Sequence, residues 1–332
     1  MEIVPVFLRY DYGKKSRGDS LEYTAFYSAL KRLTKKVHPF WYDEYLTKRN
    51  ELQRDVIKFI EDIDPDIIIF ILMRDEFTFE TLDYLKGKYT TLNWFADDQW
   101  RFEDFTSHYA PHFSYAITTD KFALAKYRKL KYNNVIVSQW ASFEGCNNLN
   151  LEEINYKYDV SFVGAASGYR KYIIHELSKK GIDVDCFGSG WKRGRVSYDA
   201  MADIFKTSRI NLNISNSASH DMRALCASPS YLYELLRSKK RVDQIKARNF
   251  EIPAFCGFQL TNYVPFIEDY FIIGKEIAVY SSIEDLINKI YYYLNDVAER
   301  EKIVKNGFKR TREEHTYENR LRLILGKIEA GL

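Results

Sequence analysis

The sequence predicts an α/β protein made of two Rossmann-like, doubly wound domains in tandem. Three observations carry this expectation. Short β-rich apolar runs alternate with stretches whose apolar residues recur at helical spacing, the pattern of right-handed βαβ units around a parallel sheet. The run IIIFILM at 67–73 is apolar throughout, as a strand must be when helices cover both faces of its sheet. The alternation lapses at 141–157, a polar, Asn-rich stretch without periodicity that reads as a linker, and then begins again. A chain of 332 residues is long for one core and comfortable for two.

In residues 1–140, EIVPVFL reads as the first strand. Behind it, Ser20 is positioned to cap a helix over LEYTAFYSALKRLTKK. VHPFWY is a second strand, 50–62 a helix, DPDIIIFILM a turn into a buried strand, and 76–87 a further helix. YTTLNWFA, SYAITTD and NVIVSQWA supply the remaining strands. The second domain, 158–314, opens with the strand YDVSFVGAAS and the helix GYRKYIIHELSKKG, which Gly181 terminates. IDVDCFGSGW, RINLNIS, FQLTN and EIAVY are its other strands, and SYDAMADIFKTS is a helix between two of them. Residues 217–242 read as an insertion of loop and short helix. A helix is expected over 244–255, and three helical stretches close the chain. The last, 315–332, is expected to return to the first domain.

Composition narrows the function. Hydrophobic residues at 46% with 29% charged residues fit a soluble globular protein. A net charge of +3 gives no footprint for nucleic acid. The basic clusters KRLTKK (31–36), KYRKLK (126–131) and RSKKR (237–241) read as solvated helix faces, so membrane association is expected to be peripheral at most. No basic leader precedes the first apolar segment, and Cys146, Cys186, Cys226 and Cys256 form no metal-ligand spacing, which together suggest a reducing cytoplasm. Neither GxGxxG nor a P-loop occurs. The pairs Asp62/Asp64 and Asp183/Asp185 precede strands rather than follow them, so no metal site is expected.

In an open parallel sheet, ligands bind beyond the carboxyl ends of the strands. FVGAASG, CFGSGW and LNISNS place Gly164, Gly188 and Asn213 at three such ends, and Arg170 falls in the first turn of a following helix. A glycine there lets a phosphate approach the backbone, although strands commonly end in glycine for turn geometry alone. Arg248 and Glu251 lie one helical turn apart within an apolar run, so they form either an internal ion pair or a ligand site. In the first domain, LNWFADDQWRFED ends a strand on Asp97 and Asp98 among Trp94, Phe95 and Trp100. That suits a sugar site, with one carboxylate as general base, or else a helix N-cap. Asp19 could reach the same end of the sheet. His175 and His220 carry no assignment.

The run IKARNFEIPAFCGFQLTNY, followed by GKEIAVYSSIEDLINKIYYYL, REKIVKNG and HTYENRL, resembles the C-terminal domain of CgeB-like (spore maturation protein B) glycosyltransferases. PDIII and WFADD extend the likeness more loosely into the first half. The resemblance implies the GT-B fold, with a nucleotide-sugar held by the C-terminal domain and the acceptor site shaped by the N-terminal one. It makes Glu251 the ribose ligand, with Arg248 and Lys246 meeting the diphosphate. Asp243 stands eight residues before Glu251, where retaining relatives carry a second acid, here one methylene shorter. Cys256 departs from a frequent glycine, and His315 is expected to pack rather than react. The implied donor is a nucleoside diphosphate sugar, foremost a UDP-sugar, with GDP- and dTDP-sugars as alternatives. The acceptor is a glycan, a protein or a lipid-linked sugar. Asp243 with Glu251 favours retention, while Asp97 or Asp98 as base would invert. A sugar-nucleotide epimerase and a non-catalytic nucleotide- or sugar-binding protein are the rival readings.

Overall fold

The computed structural model describes residues 1–331 except 143–148, 152–153, 216, 218–220 and 228. His220, part of the expected linker and part of the 217–242 insertion therefore lie outside the described residues. The chain divides into two compact units, Met1–Phe143 with Tyr317–Leu332, and Glu144–Thr316.

The first unit holds a six-stranded parallel sheet of β1 (Ile3–Phe7), β2 (Phe40–Trp41), β3 (Ile67–Phe70), β4 (Thr90–Phe95), β5 (Tyr115–Thr118) and β6 (Val135–Val137), in the order β2-β1-β3-β4-β5-β6. All four residues of β3 are buried, because apolar side chains pack on both faces of the sheet. The helix Tyr317–Glu329 seals one face, with the Tyr317 ring 4.6 Å from that of Phe26. Ser20 caps as expected: its hydroxyl accepts from the Tyr23 amide at 3.0 Å and donates to the Leu8 carbonyl at 2.7 Å. The helix it starts is not uniform. It is a π-helical turn over Glu22–Tyr27 and regular only over Ser28–Leu33.

The second unit holds β7 (Tyr158–Val163), β8 (Asp185–Phe187), β9 (Ser208–Asn213), β10 (Gln259–Asn262) and β11 (Ala278–Tyr280), all parallel, in the order β11-β10-β9-β7-β8. The helix Gly168–Ser178 ends as predicted at Gly181, whose φ of +73° lets the chain turn so that the Ile182 amide reaches the Leu177 carbonyl. The insertion carries the short helices Met222–Ala227 and Pro229–Arg237. The helix expected over 244–255 spans only Arg248–Ala254. The Asn249 side chain accepts from the Lys246 amide at 3.0 Å, which shapes a turn ahead of the helix. Among the described residues, no helix is long and apolar enough to cross a membrane.

Candidate functional site

In the second unit the carboxyl ends of β7, β8, β9, β10 and β11 bring together residues far apart in sequence. At the ends of β7 and β8 the backbone is very close-packed. The Gly164 amide donates to the Phe187 carbonyl at 2.9 Å, and Gly188 has φ +127°, with an added Cβ falling 2.2 Å from the Gly164 carbonyl oxygen. Gly188 is thus glycine because another backbone occupies the space of a side chain. The Trp191 indole donates to the same Gly164 carbonyl at 2.9 Å.

Arg170 projects from the first turn after β7. Its guanidinium donates to the carbonyls of Ala165 at 2.8 Å and Ile214 at 3.1 Å, which ties the ends of β7 and β9 together. Burial, and then the nearby positive charge of Arg248, pull its pKa down to about 10. Two guanidiniums that repel at the end of a sheet form a place where an anion is stabilising.

Arg248 and Glu251 are joined directly, Nη1 to Oε2 at 2.6 Å. Glu251 is only 5% exposed, and burial raises its carboxyl above the usual range even though Arg248 opposes the shift. The Arg248 side chain keeps about a quarter of its surface, lies 5.2 Å over the Phe205 ring and touches the Met201 sulfur. The internal ion pair, one of the two sequence readings, is therefore formed. Lys246 sits half-buried in the turn ahead of the helix.

Asp243 lies on the wall of a cavity of about 560 Å³. Tyr169, Ser215, Arg241, Asn262 and Tyr280 line the same cavity, as does the N-terminus of the helix Ile283–Asn295. The Asp243 carboxylate accepts from the Ser217 hydroxyl and from Asn262 Nδ2 at 3.1 Å, and Asn262 Oδ1 accepts from the Ser215 amide at 2.9 Å. Tyr280 is buried, and its hydroxyl, in the field of Tyr169, Asp243 and Arg170, has no hydrogen-bond partner among the described residues. Sequence reasoning missed Tyr280, Asn262 and Tyr169, although the strand ends that carry the first two were legible. Asn213 is turned sideways along the sheet, donating to Gln259 at 3.4 Å. The expected donor residues thus comprise Arg170, Arg248 and Glu251 on one side and Asp243 on the cavity wall on the other, with Tyr280 in the field of both Asp243 and Arg170.

The first unit requires corrections. Asp98 is fully buried and accepts from the hydroxyls of Thr106 (2.6 Å), Thr118 (2.6 Å) and Tyr127 (2.9 Å). Burial pushes its pKa up to about 6 against those hydrogen bonds. A carboxylate so enclosed has its hydrogen-bonding capacity taken up by three hydroxyls of its own domain. Trp94 and Phe95 are buried as well and offer no stacking surface. Asp97 is half-buried. Its side chain makes no capping bond, and its carbonyl accepts from the Trp100 and Arg101 amides instead. Asp19 pairs with Arg9 at 3.7 Å. Glu22, in the π-helical turn after Ser20 and unnoticed in the sequence, has its pKa pushed up to about 7 by burial. His315 donates to or accepts from its surroundings inside the second unit, with Nε2 2.7 Å from the Tyr270 carbonyl and its ring against Phe250 and Phe271. Among the described residues no three His, Cys, Asp or Glu gather as a metal site, and Asp185 pairs with Arg193 at 2.5 Å.

Comparison with known proteins adds to this geometry. Residues 170–326 match the model of a glycosyl transferase-like family. The structure is similar to that of Alr3699/HepE from Anabaena, solved with UDP and glucose, with a TM-score of 0.62 and 10% identity over 99% of this chain and 100% of that one. It is similar also to a sucrose-phosphate synthase from Thermosynechococcus elongatus, with a TM-score of 0.61 and 10% identity over the whole of both chains. A glycosyltransferase from Rickettsia africae ESF-5 has a TM-score of 0.60 and 13% identity over 98% of this chain and 97% of that one. No curated protein matches. At such identities the solved structures speak for the fold, and the family model speaks for the residues it covers. The chain has the GT-B fold, and its residues 170–326 match a glycosyl transferase-like family.

Proposed function

We propose that this protein transfers a glycosyl group from a nucleoside diphosphate sugar to an acceptor hydroxyl, as a CgeB-like glycosyltransferase working in the cytoplasm. The observation that carries the reading is the pair Arg170 and Arg248 at the strand ends, inside the glycosyl transferase-like segment and in the same unit as the Asp243 cavity. Arg170 and Arg248 supply the cationic charge for the diphosphate, with Lys246 beside them, so the leaving group is stabilised electrostatically and needs no metal ion. The close-packed backbone at Gly164 and Gly188 borders this locus. Glu251 serves the ribose only when Arg248 turns toward the phosphates and frees its oxygen, so the ion pair acts as one unit. Asp243 is the group suited to a sugar hydroxyl, since a carboxylate accepts from hydroxyl donors. The spacing of Asp243 and Glu251 supports retention. With Asp98 enclosed, an inverting route would rest on Asp97 or Glu22 as base. A UDP-sugar is the first donor to test, and a glycan, protein or lipid-linked sugar is the acceptor class.

The test follows thermal stability with UDP, GDP, dTDP, CDP and ADP, for wild type and Glu251→Gln. A ligand that binds only the folded state at a hundred times its Kd adds about 2.7 kcal/mol. We expect one nucleotide to raise the midpoint of the wild type and to lose most of that effect in the variant. No shift with any nucleotide would overturn the donor reading. An undiminished shift in Glu251→Gln would overturn the ribose assignment. Products formed from the matching nucleotide-sugar without an acceptor would point to an epimerase.

A further inference from the structure

The helix Pro229–Arg237 turns two different faces outward and inward. Tyr231 and Leu235, four apart, are buried, the first beneath Gly168, whose amide donates to Glu234 at 2.8 Å. Leu232, Tyr233 and Leu236 share the opposite stripe and are 44%, 59% and 72% exposed. Large apolar side chains so exposed on one helix face mark a contact with something absent from water. The Arg237 guanidinium at the end of the helix lies 4.8 Å over the Tyr233 ring, and Lys239, Lys240 and Arg241 follow it in the chain just past the helix end. The one acidic residue on the helix, Glu234, is engaged with Gly168. The basic run alone reads as a solvated helix face. Only the fold reveals that it continues from an outward apolar stripe.

We propose that this helix and its basic run form a docking surface for an anionic lipid bilayer, with Leu232, Tyr233 and Leu236 entering the headgroup boundary and Arg237, Lys239 and Lys240 meeting the phosphates. Charge selects the occupant. An apolar stripe edged by several Lys and Arg is the composition of an interfacial helix, whereas a second copy of this chain would bring the same positive charge against itself. Arg241 both ends the basic run and lines the Asp243 cavity, so a surface-bound molecule holds that cavity near the headgroups. The inference rests on the exposed face and holds whether or not the transfer reading does.

The experiment sediments the full chain with vesicles of phosphatidylcholine alone and of equal phosphatidylcholine and phosphatidylglycerol, at low and high salt. We expect at least tenfold tighter binding to the anionic vesicles, weakened by salt. Each Lys near an anionic surface contributes about fivefold, so Lys239→Gln with Lys240→Gln should weaken binding by about 25-fold. Leu232→Ser with Leu236→Ser should weaken it at least tenfold. Because Leu232 and Leu236 are exposed, Leu232→Ser with Leu236→Ser should keep the wild-type thermal midpoint. Failure to bind anionic vesicles, or equal binding to neutral ones, would overturn the proposal. A concentration-dependent dimer abolished by Leu236→Ser would overturn it too, and would make the stripe a contact between copies.

Discussion

Replacing Asp98 with asparagine gives a prediction whose sign changes with pH. The carboxyl is fully buried, and burial raises its pKa from 3.8 to about 6, with the charge of Asp120 adding to the effect and three hydroxyl donors opposing it. Between those values the folded state binds the proton more tightly than the unfolded chain. The stability it contributes is therefore complete below pH 3.8 and lost as pH rises through about 6. At 1.36 kcal/mol per tenfold change in proton affinity, the loss is about 3 kcal/mol. Asparagine never ionises. It keeps one acceptor for Thr106, Thr118 or Tyr127 but presents donors where the acid had lone pairs, at a cost of about 1 kcal/mol. Asp98→Asn should thus be about 1 kcal/mol less stable than wild type at pH 3 and about 2 kcal/mol more stable at pH 7.5. Urea denaturation at the two pH values measures both numbers. A variant that loses stability relative to wild type as pH rises would refute the burial argument. A well-folded variant without transfer activity would restore Asp98 to the reaction.

Two further outcomes follow from the second unit. Gly188→Ala should cost about 2–4 kcal/mol, since its Cβ would stand 2.2 Å from the Gly164 carbonyl at a φ that only glycine adopts freely; an unchanged denaturation midpoint would mean that the ends of β7 and β8 are looser than described. Arg248→Met should cost about 2–3 kcal/mol, more than Glu251→Gln, because it leaves a buried carboxylate without its cation. Glu251 already has a raised pKa, so the Arg248→Met loss should grow from pH 5 to pH 8; a loss that is flat or shrinks over that range would show that Glu251 is not desolvated.

The sheets were legible in the sequence for a physical reason. A parallel strand covered on both faces must be apolar throughout, and β3, Ile67–Phe70, satisfies that without help from distant residues. Caps were legible too, because Ser20 and Gly181 act on neighbours within a few positions. The π-helical turn at Glu22–Tyr27 was not, since its apolar spacing matches that of an ordinary helix. Nor was the difference between Asp97 and Asp98. They are adjacent and chemically identical, and what separates them is Thr118 and Tyr127, 20 and 29 residues further on.

The site divides along the same line. The Arg248–Glu251 pair is local, so helical spacing alone places the two side chains together. What surrounds the pair is not local: Met201 comes from 47 residues earlier, and Arg170 reaches Ile214 across 44. A parallel sheet makes this unavoidable, because each return crossover puts the next strand end tens of residues away while bringing it within a few ångströms. Chemistry assembled at those ends is written in pieces, and a piece such as Tyr280 carries no mark of its neighbours. Its buried hydroxyl beside Asp243 and Arg170 gains meaning only when the fold sets β9, β10 and β11 side by side, and there the cavity and its cations lie in a single unit.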